Sequence, residues 1–144
     1  MMRQIAYDIA NAGSNAVLFD FIGHGSNQQK LVNQPAEITG TTQQLVAQLS
    51  DIIKSIYEKF GNEISISLVG HSMASDIVIR ASADERIKSV VAISPYSTGI
   101  TPDFPKDLLL ISGQFENHLR SYALKMVKTF RPDAEENTGY ADER

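Results

Sequence analysis

The sequence contains no cysteine. That removes disulfides, thiolate metal sites and cysteine nucleophiles, and it leaves the redox compartment open. No apolar run approaches the roughly 18 to 20 residues that a membrane span requires. The first 13 residues, MMRQIAYDIANAG, alternate polar and apolar side chains and lack the continuous apolar core of a secretory signal. Cytoplasmic placement is therefore the default expectation. Clusters of Lys and Arg are also missing, so the electrostatic footprint of a nucleic-acid binder is absent. No G-x-x-x-x-G-K-[ST] phosphate loop occurs, and Gly23-His24-Gly25 is too short to serve as one. There is no internal repeat and no low-complexity segment.

What is present is a chain of 144 residues, 42% hydrophobic and 21% charged, enough for one domain with one sizeable core. The net charge of −4 is concentrated beyond Pro132, where Asp133, Glu135, Glu136, Asp142 and Glu143 face only Arg144. Residues 1–132 read as a core and 133–144 as an acidic polar tail, whose one large apolar side chain is Tyr140.

Helical and strand patterns alternate along the core. Met2, Ile5, Ala6, Ile9 and Ala10 recur at helical spacing before Gly13. AVLFDF (16–21) reads as a buried strand, followed by a long polar loop. Thr41 or Thr42 caps a second predicted helix bearing Leu45, Leu49, Ile52, Ile53, Ile56, Tyr57 and Phe60, and Gly61 ends it. Strands are expected at 64–69, 87–94 and 107–112, with a helix from Met73 to about Ser82. Phe115, Leu119, Tyr122, Met126 and Phe130 mark a last amphipathic helix. Strands separated by helices predict an α/β protein. Its mostly parallel sheet would have about four strands, with helices on both faces. Ligands of such sheets bind at the C-terminal ends of the strands. The segments just after each strand are then the ones to search: 23–25, 70–74, 94–97 and 113–117.

One of these is LVGHSMAS, where Ser72 lies between a strand and a helix. A serine hydroxyl is a weak nucleophile until a base takes its proton. A sharp strand-to-helix turn would push it above the sheet and aim the Met73 N–H at a developing oxyanion. Such a turn crowds the positions two before and two after, here the small residues Gly70 and Ala74. The competing reading is that Ser72 simply caps the helix.

The chain resembles the α/β-hydrolase superfamily at four places. LVGHSMAS looks like its nucleophile elbow, with Ala74 in place of the usual second glycine. VLFDFIGHGSN is similar to the segment after the family's fourth strand, often D-x-x-G-H-G-x-S, although Asn27 follows Ser26 where that motif ends. IKSVVAISPY and DLLLISGQFE resemble the sixth and seventh strands. The four occur in the family's order over roughly residues 1–130.

The resemblance implies a partial α/β-hydrolase fold and a serine hydrolase of esterase, lipase or carboxylesterase type. It would act on a small ester, thioester or amide through an acyl-enzyme, without cofactor or metal. It also implies Ser72 as nucleophile, Met73 N–H as one oxyanion donor, and Gly70, His71 and Ala74 as the elbow. The acid after the seventh strand would be Glu116, with Asp103 a distant second; the bland reading of Glu116 is an ordinary first-turn helix acid.

The family's histidine has no counterpart, since the only one after Glu116 is His118, two residues on. As substitute bases, His24 lies in a loop at the active-site end, His71 should diverge from Ser72, and His118 opens a helix. None has the carboxylate or cysteine company of a metal site. The family's first three strands are also without counterpart, and its third strand lies between the equivalents of 16–21 and 64–69. The expectation is a fragment lacking the catalytic histidine, with weak or no hydrolysis, whose incomplete sheet offers a route to self-association. The alternative is a non-catalytic α/β-hydrolase-like binding or assembly module in which Ser72 is a relic. A flavodoxin-like or Rossmann-like domain is disfavoured, because no glycine-rich fingerprint follows the first strand.

Overall fold

The computed structural model describes residues 1–32, 38–95, 107–113 and 115–130. Among these residues seven elements follow one another: α1 (Met2–Asn11), α2 (Ile38–Phe60), β1 (Ile66–His71), α3 (Met73–Ala81), β2 (Ile87–Ile93), β3 (Asp107–Ile111) and α4 (Asn117–Phe130). The strands form one parallel sheet in the order β1-β2-β3. This is the α/β architecture that alternating strand and helix patterns predict, with a three-stranded sheet.

Register divides the sheet into two unlike faces. One carries the rows Leu68–Val90–Leu108 and Gly70–Ala92–Leu110. Here α3 packs on β1 and β2, and α2 packs on α3. Leu45, Leu49, Ile53, Ile77, Ile79, Val90 and Ala92 build the core there, joined by Met126 of α4. Tyr57 closes one end, its hydroxyl donating to the Arg86 carbonyl at 2.9 Å. The other face carries Val69–Val91–Leu109 and His71–Ile93–Ile111. It is much less covered: Leu109 is 55% and Ile111 43% exposed.

Several expectations are corrected. Residues 14–21 form neither helix nor ladder, so the fourth strand, expected at 16–21, is absent from the sheet. Apolar composition supplies side chains to bury, whereas a strand also needs a neighbour at hydrogen-bonding distance. Among the described residues no neighbour is present: between 17–21 and the outer edge of β1 runs a cleft of about 520 Å³. Its walls include Val17, Phe19 and Phe21 on one side and Ser67, Val69 and His71 on the other. The second helix starts at Ile38, which places Thr41 and Thr42 inside it rather than at its cap. Phe115 precedes α4 and is 88% exposed, so it is not part of that helix's apolar stripe. Asp103 and the tail 133–144 lie outside the described residues. No helix among the described residues is long and apolar enough to cross a membrane.

Candidate active site

The C-terminal ends of the three strands bring together Ser72, Ser94 and Glu116. Ser72 follows β1 directly and stands at the N-cap position of α3, with φ 56° and ψ −121°. Positive φ is costly for a residue with a Cβ. The turn is held by Ser72 N–H donating to the Ile93 carbonyl at 2.9 Å and by Ser75 N–H donating to the Ser72 carbonyl at 2.9 Å. The Ser75 hydroxyl donates to that same carbonyl. Ser72 is exposed, and its hydroxyl makes no capping bond. The simple capping role therefore does not describe this side chain.

Gly70 explains how α3 comes so near the strand. A Cβ there would lie well inside van der Waals contact of the Ala74 carbonyl and 2.8 Å from Val78 Cγ2. Ala74 is itself half-buried against the turn. Met73, the first residue of α3, packs its side chain on the core. Its N–H belongs to the first turn, where helical donors have no intrahelical acceptor and the macrodipole favours negative charge.

Glu116 lies in the turn before α4. Its N–H donates to the Gly113 carbonyl at 3.0 Å, and its own carbonyl accepts from Arg120 N–H at 2.9 Å. The side chain turns away from the helix toward the sheet. Oε2 accepts from Gly113 N–H and from Ser94 Oγ, each at 2.9 Å. The Gly113 N–H, and then the Ser94 hydroxyl, hold the carboxyl below the ordinary carboxylate value, against a smaller opposing effect of burial. The charge of His71 adds a little in the same direction. A first-turn acid facing only its own helix would show neither contact. Ser94 was not singled out by residue type. Its signal is positional, since it ends a predicted strand, on the side where ligands of such sheets bind.

The candidate bases are placed elsewhere. His24 Nδ1 bonds to the Ile22 carbonyl at 2.9 Å, and a carbonyl can only accept, so that nitrogen carries the proton. Its loop is built around Asp20, whose carboxylate accepts from Ser26 N–H at 2.8 Å and Ser26 Oγ at 2.6 Å. Asn27 Nδ2 donates to the Asp20 carbonyl at 3.2 Å. The Ser26 hydroxyl, followed by its N–H, keeps the Asp20 carboxyl below its ordinary value. Gly25, at φ 54°, is required here, since a Cβ would collide with that carboxylate. His118 packs edge to face with Tyr122, ring centroids 4.8 Å apart. His71 pairs in register with Ile93 and lines the cleft beside β1. Among the described residues no histidine is hydrogen-bonded to Ser72. No group of three or more His, Cys, Asp or Glu there could hold a metal ion.

The constellation thus offers an uncapped, strained hydroxyl at a helix N-terminus and an ionised, hydrogen-bonded carboxylate two strands away. Comparison with known proteins adds the family. A search of curated proteins and one of solved structures returned no match. The family model described as serine aminopeptidase S33 matches residues 1–140, nearly the whole chain. The chain therefore belongs to the serine aminopeptidase S33 family of the α/β-hydrolase superfamily.

Proposed function

We propose that this protein is a serine hydrolase acting on small ester, thioester or amide substrates. The family's own description, serine aminopeptidase, supports including amides. The observation that carries the reading is the Ser72 hydroxyl, held at a turn with φ 56° and left uncapped at the start of α3. In the proposed reaction Ser72 Oγ attacks the carbonyl carbon while its proton passes to a base, and the Met73 N–H donates to the oxyanion. The leaving group departs with a proton, and water then hydrolyses the acyl-serine. Glu116 would orient and charge-stabilise that base. Loss of a triad's base costs several powers of ten in rate, and no histidine is in place at Ser72, so turnover by this chain is expected to be weak. A fluorophosphonate probe tests the reading without needing turnover, because the serine–phosphorus bond forms as fluoride leaves. Slow stoichiometric labelling that Ser72→Ala abolishes is expected. Labelling that survives Ser72→Ala, or a folded protein that never labels, would overturn it.

The second reading is an assembly module, and the cleft beside β1 favours it. Ser72 N–H points toward β2. Strand alternation then turns the backbone groups of Ser67, Val69 and His71 away from β2, toward the cleft. Unpaired edges of this kind recruit strands from other chains, here a second copy. Sedimentation velocity at rising concentration is expected to show a dimer. Val69→Pro should keep the monomer, because it removes a donor facing the cleft and none from the β1–β2 ladder. A wild-type protein that stays monomeric throughout would remove this reading.

A further inference from the structure

The ends of β1 and β2 are built alike. Ser72 N–H reaches the Ile93 carbonyl at 2.9 Å, and Ser94 N–H reaches the Ile111 carbonyl at 2.7 Å. Each serine thus extends its ladder one bond beyond the last strand residue, and each then turns at positive φ, 56° and 51°. Among the described residues these are the only non-glycine positions with positive φ. Such a conformation costs on the order of 1–3 kcal/mol and persists where surrounding contacts enforce it. Glycine would relieve the strain at Ser94 and lose the hydroxyl, so the hydroxyl's partner is informative.

That partner is Glu116, 22 residues on, at 2.9 Å. The Gly113 N–H lands on the same oxygen, Oε2. Gly113 lacks a Cβ that would stand 3.1 Å from it. The two donors come from the ends of different strands, β2 and β3, so they triangulate the carboxylate against the sheet. Oε1 has no hydrogen-bond partner among the described residues. One oxygen is anchored and the other is presented.

From this geometry we infer that Ser94 is a positioning residue. It fixes the Glu116 carboxylate by Oε2, so that Oε1 is the oxygen left to orient a base. The inference rests on Glu116 being the acid of the proposed hydrolase. The strain at Ser94 is the cost of carrying a donor, where glycine would serve the turn alone. A carboxylate with both oxygens free could rotate and would orient an imidazole poorly. Anchoring one oxygen with a neutral hydroxyl and a backbone N–H keeps it ionised without a competing cation.

Three variants of the full chain separate this role from a structural one. Ser94→Ala keeps the strain and removes the hydroxyl. Ser94→Gly removes both. Ser94→Asn tolerates the backbone and supplies an amide donor. The Glu116 carboxyl carbon is followed through a pH titration by NMR, beside urea unfolding. In Ala and Gly the Glu116 pKa should rise toward its ordinary value, and in Asn it should return to the wild-type position. Gly should unfold at higher urea than Ala. An unmoved Glu116 pKa in both Ala and Gly, with only the urea midpoint changing, would overturn the assignment. A wild-type chain that never labels would instead overturn the hydrolase reading, and the titration would still decide the fate of Ser94's contact.

Discussion

Gly70→Ala is expected to destabilise the protein by about 3 kcal/mol and to abolish fluorophosphonate labelling of Ser72. The added methyl would press into the Ala74 carbonyl and lie 2.8 Å from Val78 Cγ2. A flexible side chain could rotate out of the way. The Ala74 carbonyl is backbone of α3 and can yield only if the helix lifts from the strand. That movement would break the contacts that hold Ser72 at positive φ, beginning with its N–H to Ile93. Urea unfolding and labelling should therefore fail together, with the thermal midpoint falling roughly 10 °C. A Gly70→Ala protein as stable as wild type would show that α3 is not clamped against β1 in solution.

Gly70 also belongs to the part of the fold that the sequence itself makes legible. Gly70 and Ala74 were legible as small positions because the demand is local: a strand, a tight turn and a helix within nine residues. The C-terminal end of α1 and both ends of α3 were legible for the same reason, and so was the order of elements from α2 to α4. Failures came where a neighbour distant in sequence decides. The segment 16–21 has the side chains of a buried strand but no ladder partner, and composition alone does not reveal whether one is there. Ser94 gave only its place at the end of a strand. Its φ and its bond to Glu116 arise from β2 and β3 lying side by side. Phe115 fits the periodicity of α4 but falls before the helix begins, in the turn that Glu116 and Gly113 close. For Glu116 itself, the resemblance to the α/β-hydrolase superfamily implied an acid after the last strand, whereas its anchored oxygen is a tertiary fact.

Ile77→Ala is expected to cost about 4 kcal/mol and to weaken labelling of Ser72 without touching the turn directly. Ile77 is fully buried, in the middle of α3, and packs in the core that also contains Leu45, Ile53 and Val90. Truncation removes three carbons from a site walled by α2 on one side and the sheet on the other. Neither wall can collapse far, because α3 already meets β1 at the closest approach Gly70 permits. The cavity should therefore stay largely unfilled, which puts the cost in the upper part of the usual range. The consequence for the site follows from how α3 is fixed. Its N-terminus is held by the turn at Ser72 and its body by Ile77, Val78 and Ile79. Loosening the body lets the helix axis tilt about that turn, and the Met73 N–H moves with it. Ile77→Val keeps most of the packing and should lose only about 1 kcal/mol, with labelling near wild type. Urea unfolding gives the energies, and the labelling rate below the unfolding transition gives the effect on Ser72. Equal labelling rates in folded Ile77→Ala and wild type would mean that the turn alone, not the seat of α3, sets the geometry of the nucleophile.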